Sequence, residues 1–255
     1  MTRTLLPRSF FERDPRIVAK ELLGKLLVRR MGRTVIAARI VETEAYLGER
    51  DLAAHASSGI TPRNAVLFGP AGHAYVYFTY GMYHCMNISC EKAGQPGCVL
   101  LRALEPLSGW EEMALGRHLA LPDEPDAKAL KLLTSGPGRL CQALHINRAD
   151  DNGKDVTSAK SDLQAAADDF RVKRVVKTER IGISQDTHLK LRYLIADNPF
   201  VSGKAVSSRK VEKPTSFSPP APPKRKPSHT SPALARKPLA PRVRPVRTRR
   251  TADAG

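Results

Sequence analysis

Cysteine, acidic residues and aromatics are all scarce in this chain of 255 residues, and each shortage narrows what it can be. Four cysteines, Cys85, Cys90, Cys98 and Cys141, are too few for a disulfide scaffold at this length, and no Cys-x-x-Cys pair marks a metal site. They lie in apolar stretches and read as reduced packing residues; zinc shared with His84 is the weaker alternative. No apolar run reaches the roughly 18 residues of a membrane span. The stretch "MTRTLLPRSFFERD" is too broken by charge and proline for a secretory leader. The expected setting is intracellular and away from membranes. Acids are outnumbered 25 to 42 by Lys and Arg, for a net charge of +17, so the natural partner is a polyanion.

That charge is unevenly spread. Residues 204–255 hold 14 of the 42 basic residues, two of the 25 acids and 10 of the 20 prolines, which places +12 of the +17 there. Such a segment has too few large apolar side chains to offset its ordering entropy, and it reads as a disordered, proline-extended tail. Its runs "PPKRKPS" and "PRVRPVRTRR" suit non-specific attraction to phosphates. A solvated tail without a role is the plain alternative. Residues 1–203 remain as one domain.

Within that domain, Asp14 and Pro15 mark a helix start, Ile17, Leu22 and Leu23 can share its buried face, and Gly24 can end it. "KLLVRRMGRTVIAARIVETEAYL" reads as two strands joined near Gly32, and "HAYVYFTYGMYHCMNISCE" as a hairpin turning near Gly81-Met82. "CVLLRALEP" is a short buried strand stopped by Pro106. Trp110–Leu119 and Ala127–Leu133 have helical spacing, and a further helix starts near Arg139 after a Gly-Pro-Gly turn. The stretch "RIGISQDTHLKLRYLIADNPFVS" is strand-like. Without regular alternation of strand and helix, the order favours an α+β domain, a curved antiparallel sheet flanked by helices.

Two features point beyond packing. In "RIVETEAYLGERDLAAH" an apolar strand runs into Glu42 and Glu44, which an extended chain places on one side with Tyr46, roughly 7 Å apart. An unpaired buried carboxylate is costly. Pairing with Arg39 or Arg102, or a solvated strand end, would account for them. The second feature is "YVYFTYGMYHCMN". It packs Tyr75, Tyr77, Tyr80 and Tyr83, four of the six tyrosines, into nine residues. Cross-strand aromatic pairs in a sheet would explain it; so would a stacking surface with an exposed aromatic at a hairpin tip, as in nucleic-acid readers.

Taken in order, "RIVETEAYLGERDLAAH", "TPRN", "YVYFTYGMYHCMNIS", "CVLLRALEP" and "SGPGRLCQALHIN" closely resemble the alkyladenine (3-methyladenine) DNA glycosylases of the small single-domain class also found in mammals. The resemblance covers roughly residues 5 to 203 and is densest from Ile40 to Pro106. It implies an enzyme that flips alkylated or deaminated purines out of duplex DNA and hydrolyses the N-glycosidic bond. It implies no metal and no cofactor. By the same resemblance Glu44 is the catalytic general base, Tyr46 and Tyr77 sandwich the base with His55 beside them, and Asn87 crowds the purine edge against guanine's 2-amino group. Tyr80 intercalates, Met82 assists it, and Arg102 contacts phosphate or water, unless it is a buried ion pair with a glutamate. Glu42 has no assigned role. No amine nucleophile is implied near Glu44, so the enzyme is expected to be monofunctional.

The expected partner is double-stranded DNA carrying damaged purines, and the protein is expected to be a monomer. Its setting would be cytoplasm and nucleoid in a bacterium, or the nucleus in a eukaryote. The segment "ASSGI" after His55 and the Ser89–Gln95 turn depart from the mammalian pattern, which bears on pocket shape. Two rival readings are a nucleic-acid-binding module that never cuts a bond and a metal-assisted hydrolase using His55, His84 and cysteines.

Overall fold

A computed structural model describes residues 3–203. The basic stretch 204–255, expected to be disordered, lies outside the described residues. The elements run β1 (Thr4–Leu5), α1 (Arg8–Phe11), α2 (Pro15–Leu22), β2 (Leu26–Met31), β3 (Thr34–Tyr46), β4 (Ala74–Thr79), β5 (Tyr83–Cys90) and β6 (Gly97–Ser108). Then follow α3 (Trp110–Gly116), α4 (Ala127–Thr134), α5 (Pro137–Ala143), α6 (Arg148–Asp151), β7 (Leu163–Ala167), β8 (Val175–Thr178) and β9 (Arg192–Ile195). The strands form a single sheet in the order β1-β7-β2-β3-β6-β5-β4, with helices flanking it, so the domain is α+β. Every named pair is antiparallel.

The long central strand β3 positions the site. On one edge it pairs with β6 along most of its length. On its other edge β2 covers Thr34–Arg39, and β9 takes over at Glu42–Glu44. Register shifts between β3 and β6 fall at Ile40/Glu42 and Glu42/Thr43, so Arg102 is the extra residue between Leu101 and Ala103. A bulge of this kind bends a strand and re-aims a side chain. Below β3, α2 packs closely enough for the Thr43 hydroxyl to donate to the Ala19 carbonyl at 2.8 Å.

Most local expectations hold. The Asp14 side chain caps α2 by accepting from the Arg16 amide, with Pro15 in the first turn. The β4–β5 turn carries Tyr80 and Gly81, both at positive φ (51° and 68°), which suits the right-handed twist of a tight hairpin. Four expectations need correction. Ile17 is exposed, and Val18, Ala19 and Leu22 form the buried face of α2. β6 does not stop at Pro106 but reaches Ser108, because Pro106 sits at a register shift against Ala37–Ala38 where no ladder donor is required. α5 begins at Pro137, with proline in the first turn, rather than at Arg139. In the stretch read as strand-like, only Arg192–Ile195 is strand; residues 180–190 are loop.

The two faces of β3, β6, β5 and β4 differ. Val41, Ala45, Leu101, Val99, Ile88, Met86 and Val76 point into the main core with α2 and α5. On the opposite face the registers align Tyr75 with Asn87, Asn87 with Leu100, and Leu100 with Glu44, one row across four strands. Beside it lie the pairs Tyr77 with Cys85 and Tyr46 with Cys98.

Candidate active site

Tyr75, Asn87 and Leu100 of that row line a cavity of about 500 Å³, within the usual range of about 300–1,000 Å³ for small-molecule sites. Tyr46, His55, Arg63, Tyr75, Tyr77, Tyr80, Asn87 and Arg102 all line it, together with Ile181 and Gly182 from the loop before β9. Of the eight residues given site roles by the resemblance, six (Tyr46, His55, Tyr77, Tyr80, Asn87 and Arg102) share one cavity. Glu44 stands directly behind it. Met82 does not line the cavity; it is 63% exposed at the hairpin tip.

Glu44 is fully buried, at 0% exposure. Its Oε1 accepts from the Ile181 amide at 2.8 Å and lies 3.2 Å from Nη1 of Arg102. Its Oε2 accepts from the Tyr46 hydroxyl at 3.0 Å. All three partners line the cavity although the carboxylate does not. Burial raises the Glu44 pKa above its ordinary value, opposed by Arg102, the Ile181 amide and the Tyr46 hydroxyl in that order. The carboxyl is thus poised closer to neutrality than a surface glutamate, as suits a proton acceptor.

Glu42, two residues earlier, is tied elsewhere. Its Oε1 accepts from Nε of Arg102 at 2.9 Å, from Nε of Arg192 at 2.6 Å and from the Ser202 hydroxyl at 2.9 Å; its Oε2 accepts from the Ser202 amide at 2.6 Å. It joins β3, β6, β9 and the end of the described chain. Arg102 is accordingly a buried ion pair with both glutamates that also presents a surface to the cavity.

The aromatic walls are braced. His55 Nδ1 lies 2.8 Å from the Tyr75 hydroxyl, and its ring meets Tyr77 edge-on at 4.4 Å. Burial lowers the His55 pKa, and the Arg63 guanidinium lowers it further. Arg63 lies over the Tyr77 ring at 5.5 Å, and Arg180 over the Tyr46 ring at 4.6 Å. Burial pushes the Tyr75 hydroxyl up to about 12, and the Tyr46 and Tyr77 hydroxyls higher still, so all three stay protonated donors. Asn87 donates from Nδ2 to the Tyr75 carbonyl at 3.4 Å, and its Oδ1 lies 3.7 Å from the Cys98 thiol. Tyr80 is 81% exposed and leans over the cavity mouth toward Gly182.

Four contributors were not visible in the sequence: Arg63, Asp51, Arg180 and the Ile181 amide. "TPRN" contained Arg63 without hinting at its ring contact. Asp51 and Arg180 are 129 positions apart and form a buried pair, at 2.5 Å and 2.9 Å. All four cysteines are buried free thiols. Among the described residues no group of three or more His, Cys, Asp or Glu side chains is placed to hold a metal ion, and no helix is long and apolar enough to cross a membrane.

A buried carboxylate served by three donors stands at the back of an aromatic cavity that Arg63 and Arg102 also line. Comparison with known proteins gives the chain its family. The family model described as methylpurine-DNA glycosylase matches residues 9–199. A protein of Koribacter versatilis is 57% identical over 199 residues, covering 78% of this chain and 93% of its own. Relatives from Methanocella arvoryzae (46% over 204 residues, 79% of this chain and 97% of that one) and Alkaliphilus oremlandii (43% over 203 residues, 78% and 99%) are similar along the same span. All three carry the name "Putative 3-methyladenine DNA glycosylase". The chain belongs to the methylpurine-DNA glycosylase family, and so to the hydrolases of DNA repair.

Proposed function

We propose that this DNA glycosylase draws one alkylated or deaminated purine nucleotide out of duplex DNA into the cavity behind Tyr80, and there hydrolyses its N-glycosidic bond by a monofunctional route. The product is an abasic site, the starting point of base excision repair. 3-Methyladenine, the base in the relatives' names, is the first substrate to test.

The observation that carries this reading is the setting of Glu44, a buried carboxylate with raised pKa whose every partner faces the cavity. In the proposed step Glu44 takes a proton from water as the water oxygen bonds to C1′ of the deoxyribose. The C1′–N bond breaks and its electron pair leaves with the base. A 3-methyladenine base carries positive charge while attached and departs neutral, so no second carboxyl need protonate it, unlike the sugar leaving groups of ordinary glycosidases. Charge developing on the sugar is stabilised by the same carboxylate. Water reaches Glu44 by taking the place of the Tyr46 hydroxyl on Oε2, the one oxygen held by a single contact.

Tyr46 and Tyr77 offer stacking faces to the base, His55 packs beside it, and Asn87 crowds the purine edge. Tyr80, the exposed aromatic at the mouth, fills the gap left in the DNA stack, with Met82 beside it in the groove. Arg102 contributes through Glu44 and water rather than by reaching phosphate. The protein acts as a monomer on double-stranded DNA.

The experiment is to incubate the protein with duplexes each carrying one lesion (3-methyladenine, 7-methylguanine, hypoxanthine or ethenoadenine) and to score strand breaks with and without alkali. Breaks that need alkali are the expected result. Breaks without alkali would replace the monofunctional route with a lyase, and lesion binding without any release would leave a binding module.

A further inference from the structure

We infer that the buried Asp51–Arg180 pair is a positioning device for the reaction, holding the Ile181 amide on Glu44 and bracing Tyr46. Both side chains have 0% exposure. Desolvating two charges costs about as much as their attraction returns, so stability alone is a poor account of such a pair. Its connections supply a better one. The Arg180 guanidinium meets Asp51 through both terminal nitrogens, and its Nη1 also donates to the carbonyl of Ala45, the residue between Glu44 and Tyr46, at 3.2 Å. The same guanidinium lies over the Tyr46 ring at 4.6 Å and, unlike that ring, does not line the cavity. The next residue along the chain donates its amide to Glu44.

Asp51 completes the link from the other side. Its Oδ2 accepts from the Leu47 amide at 3.0 Å and its Oδ1 from the Ala53 amide at 3.1 Å, which fixes the turn leading to His55. The far end of the 180–190 loop is tied to that turn by the Leu52 amide donating to Asp186 at 2.8 Å. One ion pair therefore joins two loops remote in sequence to the strand between them. The geometry requires arginine, because a lysine ammonium cannot bridge both carboxylate oxygens, a carbonyl and a ring face together.

The inference rests on Glu44 being the base. The groups facing Glu44 are Arg102 from β6, Cys85 from β5, Tyr46 and Glu42 on its own strand, Arg192 from β9 (its Nε given to Glu42) and Arg180 with the Ile181 amide from the loop. Loosening the loop withdraws the Ile181 donor from the ionised carboxyl. The pH below which excision fails should then move upward.

The test uses the full chain with Arg180→Lys and, separately, Asp51→Asn. Single-turnover excision at saturating enzyme is followed against pH, beside binding of lesion DNA by fluorescence anisotropy and thermal melting, with Glu44→Gln in parallel. A misplacement of about 1 Å can cost about 10²-fold in rate. Arg180→Lys should therefore lose roughly ten- to a hundredfold in rate while remaining folded and binding lesion DNA with little change, and its acid limb should lie at higher pH than the parent's. An unchanged rate, or a loss that tracks the unfolded fraction with the limb unmoved, would overturn the positioning role. Parental excision by Glu44→Gln would instead overturn the assignment of the base, independently of how the Arg180 variant behaves.

Discussion

Glu42 and Glu44 are the same residue type on the same face of one strand, both fully buried, yet their surroundings differ in kind. Glu42 is held by two arginines and by both the amide and the hydroxyl of Ser202, and of these partners Arg102 alone also borders the cavity. Glu44 has part of one arginine, at 3.2 Å, a single amide and a phenol, and each of these borders the cavity. Two guanidinium groups surround the first carboxylate. The second is left under-compensated, and burial dominates its pKa. A buried carboxylate becomes a reagent when its partners are few and its ionised state is costly; it becomes a rivet when they are many.

The sharpest way to break this comparison is to replace each in turn by glutamine. Glu44→Gln keeps the volume and the acceptor for Arg102 and Ile181 but cannot take a proton. Single-turnover excision should fall by about 10²–10⁴ with lesion-DNA binding retained. Glu42→Gln should keep near-parental excision in the protein that remains folded. Equal losses from both would mean that the pair works as one unit through Arg102.

Stability should reverse the ranking. Disrupting the Glu42 node breaks a buried ion-pair network, for a loss of about 3 kcal/mol, or a melting midpoint lower by roughly 6–12 °C in a domain of this size. Glu44→Gln removes an under-compensated charge and should gain about 1 kcal/mol, a trade common at active sites. The sign follows from the raised pKa. Folded Glu44 holds its proton more tightly than the unfolded chain, so its contribution is full below the ordinary value of 4.5 and is lost as pH rises through the folded value. The advantage of Glu44→Gln should therefore be absent in acid and grow toward neutrality. A constant difference across pH would assign it to packing instead.

This contrast was only half legible in the sequence. Alternation put Glu42, Glu44 and Tyr46 on one side of a strand, and the tyrosine cluster announced a hairpin with an exposed tip. The α+β class followed from the order of apolar runs. What separates the two glutamates is long-range: Arg192 and Ser202 come from 150 and 160 positions away, and the Ile181 amide from 137. No local pattern carries a bulge that turns Arg102 toward both carboxylates, or a loop folded over a strand end. The loop around Ile181 was read as strand because it shares apolar spacing with β9, although Gly182 at φ +78° belongs to a turn. Roles for single residues came from family resemblance.

The pH profile of the parent enzyme sharpens the comparison further. Glu44 must be ionised to accept a proton, and burial raises its pKa. Excision should fall as pH drops through a value above 4.5, the ordinary glutamate figure, and be flat above it until the protein or DNA changes. His55, held below its ordinary value by burial and Arg63, is a second titratable group on the cavity wall. His55→Gln separates them: the acid limb should remain in place if it belongs to Glu44, and vanish if it belongs to the imidazole.

The smallest expected effect is the most telling about access to Glu44. Tyr46→Phe keeps the ring, its stacking face and the Arg180 contact, and removes only the hydroxyl that occupies Oε2. If water must displace that hydroxyl, the variant starts with the position open. Excision well above the acid limb should then stay within about tenfold of the parent, because a single exchangeable hydrogen bond is worth only about 0.5–1.5 kcal/mol net. Near the limb the variant should be the slower enzyme, since one donor to the ionised carboxyl has gone and protonation sets in at higher pH. Glu42 offers no comparable substitution, because each of its contacts comes from a backbone amide, a fixed arginine or a hydroxyl closed off from the cavity. A loss beyond about a hundredfold at every pH would give the phenol itself a proton-carrying part, on the scale of a general acid or base, and Glu44 would then act through Tyr46 rather than directly on water.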